Sequence, residues 1–325
     1  MKSRIFPLIA TIVVFILLYM IGWQRFPAFG TTRVVLNILT DKSFLGVAAV
    51  GMTFVILSGG IDLSVGSIIA FTSIFCALLI KDVGVHPLGA FAIALALGAA
   101  FGGAMGAIIH YLKIPPFIVT LAGMFLARGC AFLLSEASVP IEHPFYSDIS
   151  GMYYVFEDKG RLTFVATLFV IVLLVGLIIA HFTRFGRNVY ALGGDKNSAL
   201  LLGVPIARTT IGVYMLSSVL ATLAGIIYSL YTRSGYPLAT VGLELDAITA
   251  VVIGGTLLTG GVGYMAGTLV GVLILGVIQT YINFDGGLNS WWTKIVIGAL
   301  LFVFIALQKV LSSGRPVFKL PSLKR

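Results

Sequence analysis

The sequence predicts an all-α polytopic membrane protein of about ten transmembrane helices, and three observations carry that expectation. Charged residues make up 10% of the chain, against about 25% in soluble domains, too few to cover a water-facing surface. Apolar runs of about 17 to 22 residues recur along the whole chain, each long enough to cross a ~30 Å hydrocarbon core. Two longer apolar stretches, 43–80 and 247–284, are each interrupted by a glycine cluster. The chain therefore reads as one transmembrane domain, 1–325, in two halves, 1–183 and 210–325, joined by a polar loop, 184–209.

Taken in order, Lys2 and Arg4 precede the first apolar run, 5–22. Trp23, Gln24 and Arg25 follow it where a signal peptide would have small residues, so it reads as an uncleaved span anchored by Trp23. The stretch 43–80 holds a single charge, Asp62. As one helix it would run about 57 Å at ~1.5 Å per residue, so it must break, and Ser58-Gly59-Gly60-Ile61-Asp62-Leu63-Ser64 is where it does. The span 88–109 carries Gly98, Gly102, Gly103 and Gly106 at spacings suited to close helix packing. Lys113 and Pro115-Pro116 end it, and the span 117–134 follows with Arg128 inside. A loop over 136–161 holds Glu142, Asp148, Glu157 and Asp158, before the span 162–182.

The loop 185–205 reads as a Gly193-Gly194 turn, then Asp195 as N-cap of a short helix over 196–202, with Gly203 at the C-cap and Pro205 beyond it. The span 210–230 and the charge-free stretch 247–284 follow, the latter broken at Thr259-Gly260-Gly261-Val262-Gly263. The last span is 291–307, followed by Lys309 and a basic tail over 315–325. Twelve of the 21 Lys and Arg fall on the side of the 184–209 loop and eight on the other, which places that loop and both termini in the cytoplasm. So distributed, the net charge of +9 sets orientation and forms no groove for nucleic acid.

Cys76 and Cys130 lie in apolar spans, and His86, His110, His143 and His181 are scattered, so no metal-ligand set emerges. No catalytic triad spacing or phosphate-binding loop is present, so an enzyme is not expected and any ATP would be bound by another chain.

The two broken stretches resemble each other. SGGIDLSVGSIIAF at 58–71 aligns with TGGVGYMAGTLVGV at 259–272, an internal repeat of open orientation. Glycine-interrupted spans in corresponding halves point to a translocation pathway, here Ser58, Gly59, Gly60, Asp62, Ser64, Thr259, Gly260 and Gly261. Asp62 faces Gly263 in the alignment, and two readings of it stand: an ionisable group on the pathway, or a helix cap exposed at the cytoplasmic face. Arg128 likewise either snorkels outward or pairs with a carbonyl or acid inside the bundle.

Gly186, Arg187, Asn188, Ala191, Gly193, Gly194, Asp195, Ala199, Gly203 and Val204 spell a pattern that resembles the loop by which permease subunits of ribose-type ABC sugar importers dock into their ATPase. ILSGGIDLSVGS at 56–67 is the second motif, and the resemblance covers nearly the whole chain. Within the family the chain looks most like permeases of bacterial galactofuranose importers. The resemblance implies an inner-membrane permease translocating a monosaccharide delivered by a periplasmic binding protein. It implies a second permease of the same or related sequence, and a separate ATPase carrying ATP and Mg²⁺, so that this chain itself needs no cofactor. Asn197 and Pro205 join the coupling loop. It also implies a fixed packing role for Arg128-Gly129. The alternative from the residues alone is a stand-alone secondary transporter or channel for a small neutral solute; against it, Asp62 is the single candidate for an intramembrane acid.

Overall fold

The computed structural model describes residues 2–156, 159–289 and 291–313; Glu157, Asp158 and the basic tail 315–325 lie outside the described residues. The chain begins with α1 (Lys2–Arg25), a short 3₁₀ turn (Pro27–Gly30) and α2 (Thr32–Asp41). α2 was not expected from the sequence: it is an amphipathic ten-residue helix that buries Val34, Leu36 and Ile38 and meets α3 (Ser43–Leu57) at a 60° bend. Fourteen of the fifteen residues of α3 are buried, so this uniformly apolar helix runs through the centre of the bundle. The first break follows, and α4 (Val65–Lys81) leads away from it.

α5 (Pro87–Tyr111) packs most closely on the long helix α11. A Cβ at Gly98 would strike Thr222, at Gly102 the Tyr214 carbonyl, and at Gly106 would stand 2.7 Å from Ile211 Cα. Gly103, expected to share this role, faces open space, because the contact recurs every four residues and Gly103 is off that stripe. α6 (Pro116–Leu134) follows. The region after it forms β1 (Val139–Pro140), α7 (Pro144–Gly151) and the antiparallel hairpin β2 (Tyr153–Val155) and β3 (Arg161–Thr163). These strands are the small exceptions to the all-helical expectation.

α8 (Phe164–Phe182) returns to the other end of the bundle, where α9 (Arg184–Gly194) and α10 (Lys196–Leu201) form the connector to α11 (Ile206–Thr232). β4 (Ser234–Gly235) pairs antiparallel with β1. Then come α12 (Leu243–Ile253), the second break, α13 (Met265–Asp285) and α14 (Trp291–Ser313). Among the described residues six helices are long and apolar enough to cross a membrane, namely α1, α5, α6, α8, α11 and α13. The bent pair α2–α3 makes a seventh candidate.

Candidate coupling site

The connector is a pair of capped helices. Thr183 opens α9 by accepting the Gly186 N–H on its Oγ1 at 3.1 Å. Gly193 and Gly194, expected to turn the chain, are instead the last residues of α9. Asp195 caps α10 as expected, its Oδ1 accepting the Ser198 N–H at 2.7 Å. Hydrogen bonds from Ser198, side chain first and backbone second, hold the Asp195 carboxyl below its ordinary value, so the cap is lost only as pH falls through that lowered value.

α10 closes with Leu202 as C-cap and Gly203 in the left-handed region at φ +78. Gly203 N–H donates to the Leu200 carbonyl and Val204 N–H to the Ala199 carbonyl, each at 3.0 Å, which satisfies the last turn. Ala199 is buried beneath the helix, while Leu200, Leu201 and Leu202 are 64%, 88% and 80% exposed. Asn197 and Arg187 are exposed, Asn188 and Ala191 half-buried, and Pro205 leads into α11.

Three glycine pairs meet at the C-terminal end of α9. Gly261 N–H, from the second break, donates to the carbonyl of Leu57 at the first break, 2.9 Å away. A Cβ on Gly193 would overlap that same Leu57 carbonyl and lie 2.7 Å from Gly261 N. A Cβ on Gly260 would lie 2.8 Å from Gly59 N and 2.9 Å from the Gly193 carbonyl, and one on Gly261 would lie 2.7 Å from Gly194 Cα. Gly59, Gly260 and Gly261 have φ of +82, +85 and +72. Bare backbone is what lets three segments share this space. Tyr190 of α9 adds a tie, its hydroxyl donating to the Gly263 carbonyl at 2.8 Å.

Beside this junction lies a cavity of ≈ 550 Å³ walled by Ser58, Gly60, Lys113, Asp195, Tyr214 and Thr259 among others. The structure thus brings the two breaks and the connector to one place. Asp62 and Ser64 stand apart: both are buried, and neither lines the cavity.

Asp62 is not an exposed cap. It is fully buried, with Oδ1 accepting the Ser64 N–H (2.9 Å) and hydroxyl (2.6 Å), and Oδ2 accepting the Ser217 hydroxyl of α11 (2.8 Å). It folds the first break back on itself and ties it to α11.

Arg128 does not snorkel. Its Nη1 donates to the carbonyls of Pro237 (2.5 Å) and Ala239 (2.9 Å). Those carbonyls belong to a non-helical segment that runs beside α4, with Tyr236 N–H donating to Ser73 Oγ and the Thr240 hydroxyl to the Gly66 carbonyl. Lipid cannot satisfy such backbone groups, and the guanidinium does. Arg128→Met is therefore expected to lower thermal stability, since the buried Pro237 carbonyl loses its donor, at roughly 1–3 kcal/mol, while the Ala239 carbonyl keeps the Thr240 hydroxyl. Purified protein tested by thermal unfolding in detergent checks this; an unchanged midpoint would remove the role.

Of the residues that build this site, Leu57, Tyr190, Leu200, Leu202 and Ser217 were not singled out from sequence. Leu57 takes part through its carbonyl, which side-chain identity does not reveal. Leu200 and Leu202 had a signal, an apolar run on a capped helix outside the predicted spans.

A family profile described as the permease component of a branched-chain amino acid transport system matches residues 34–305. The chain belongs to that permease family. Among its relatives, the Inner membrane ABC transporter permease protein YjfF of Escherichia coli is 59% identical, over 96% of this chain and 94% of the relative. The Ribose import permease protein RbsC of Escherichia coli is 41% identical over 86% of each chain. The Fructose import permease protein FruG of Bifidobacterium longum is 38% identical, over 95% of this permease and 92% of the relative. No solved structure matches.

Proposed function

We propose that this permease is the membrane subunit of a bacterial sugar ABC importer, docked to its ATPase through α10. The carrying observation is the trio Leu200, Leu201 and Leu202, exposed at the tip of a helix capped at both ends and joined through Gly193 to both breaks. An apolar tip of this kind fits a groove on a partner protein. ATP and Mg²⁺ sit on that partner, and this chain carries out no reaction. ATP-driven closure of the ATPases pulls α10, and α9 passes the displacement to Gly59–Gly60 and Gly260–Gly261 together.

The relatives named for ribose and fructose support a monosaccharide as substrate. Galactofuranose is the specific sugar we assign, on the motif resemblance. A periplasmic binding protein delivers it, and a second permease, a copy or a related chain, completes the pathway. We place the chain in the inner membrane as a single domain with both termini and α10 in the cytoplasm. Ten spans follow once α3, α4, α12 and α14 are counted with the six long helices. The two helix–break–helix units then form a parallel repeat, since both breaks sit at the α9 end.

The test is co-purification. Leu201→Glu, alone or with Asp195→Lys, is expected to release the ATPase subunit from permease solubilised in mild detergent, while wild-type permease retains it. An ATPase that stays bound to the double variant would remove α10 from the interface.

A further inference from the structure

A second cavity lies at the opposite end of the bundle from α9, enclosed by the start of α3, the first turns of α12 and α14, and the C-terminal half of α13. It measures ≈ 180 Å³, and its walls include Lys42, Asp246, Gln279, Thr293 and Lys294, with Leu45, Leu275 and Ile297 as apolar floor. Three charged groups gather at this one small cavity, Lys294 half-exposed at the start of α14 and Asp246 less exposed in the first turn of α12.

Part of the set is self-contained. Lys294 Nζ reaches both carboxylate oxygens of Asp246, at 2.7 and 2.8 Å. The rest is not. Thr293 is 5% exposed, and its Oγ1 has no partner among the described residues. Gln279 Nε2 donates to Asn283 Oδ1 at 3.1 Å, which leaves its own carbonyl oxygen to accept. A buried hydroxyl without a partner, facing a cavity of mixed polar and apolar lining, marks a place for a ligand.

We infer that this cavity is a transit site for one neutral monosaccharide at the outer mouth of the permease. The inference rests on the proposed sugar-import function for its substrate class. Lys42 can donate and the Gln279 carbonyl oxygen can accept beside the Thr293 hydroxyl, which suits hydroxyls that both donate and accept. The Lys294–Asp246 pair is neutral and Asp41 stands beside Lys42, so the site offers no net positive charge to hold an anion. The apolar floor suits the C–H face of a sugar ring. At ≈ 180 Å³ the cavity is well above the ~10–15 Å³ that one water needs, which leaves room for a small ring.

The test uses the purified full-length chain in lipid nanodiscs. D-galactose, D-ribose, D-fructose, D-galacturonate and inorganic phosphate are titrated separately. The readout is the fluorescence of Trp291 and Trp292, adjacent to Thr293, with equilibrium dialysis of labelled sugar as the direct measure. At least one neutral sugar is expected to saturate. Thr293→Val is expected to weaken it about tenfold, and Thr293→Ser to restore it. Gln279→Leu provides an independent variant should Thr293→Val fail to fold. The site is overturned if no neutral sugar binds, if both variants bind like wild type, or if galacturonate or phosphate binds in preference. ATPase co-purification is read separately, so failure of the docking reading and failure of this site are distinguishable.

Discussion

Gly193→Ala is expected to cut ATP-driven sugar uptake at least about tenfold, while Gly194→Ala, one residue further on, leaves it near wild type. A Cβ at Gly193 would overlap the Leu57 carbonyl and crowd Gly261 N, all of it backbone that has no rotamer to yield. A Cβ at Gly194 meets nothing within 4 Å. Overpacking of this kind costs roughly 1–3 kcal/mol, and here it is relieved only by moving α9 away from both breaks. The contrast matters because both substitutions are equally mild for helix propensity. Uptake by proteoliposomes containing the reconstituted importer, with ATP hydrolysis measured in parallel, checks it. Hydrolysis should persist in Gly193→Ala without matching transport. Equal losses at both positions would mean that the close approach at Gly193 does not transmit motion.

Asp62→Ala is expected to lower the thermal midpoint in detergent and to reduce uptake per folded copy. Truncation strands the Ser217 hydroxyl and the Ser64 N–H in a dry interior, at roughly 1–3 kcal/mol for each orphaned group. Asp62→Asn should be far milder. Its amide oxygen still accepts from Ser64, and its NH₂ can donate to Ser217 Oγ, which accepts as readily as it donates. If Asn is as damaging as Ala, the carboxylate charge matters in its own right and the role of Asp62 extends beyond bracing.

Much of the site was legible one residue at a time. The Asp195 cap, the Gly203 stop and the first break each obey local rules, so each could be placed from its neighbours alone. Gly193-Gly194 misled for an instructive reason. Two adjacent glycines signal a turn when only local conformation is considered. Here they are helical, and their lack of a Cβ serves a contact with residues 57 and 261. Asp62 stayed open between a pathway group and an exposed cap for the same reason: its second partner is 155 residues away.

By itself the sequence determined the solvent of this protein, the approximate position of its long apolar helices, both helix breaks and the caps of α10. These depend on composition, on run length against the thickness of a bilayer, and on interactions within a few residues. Only the tertiary structure decided that the two breaks touch, that α9 ends against both, and that Arg128 and Asp62 satisfy groups on other helices. Those pairings are hydrogen bonds and close backbone approaches between distant segments. They become defined only when the helices pack, because the groups involved, carbonyls and bare glycines, carry no side-chain signature of their partner.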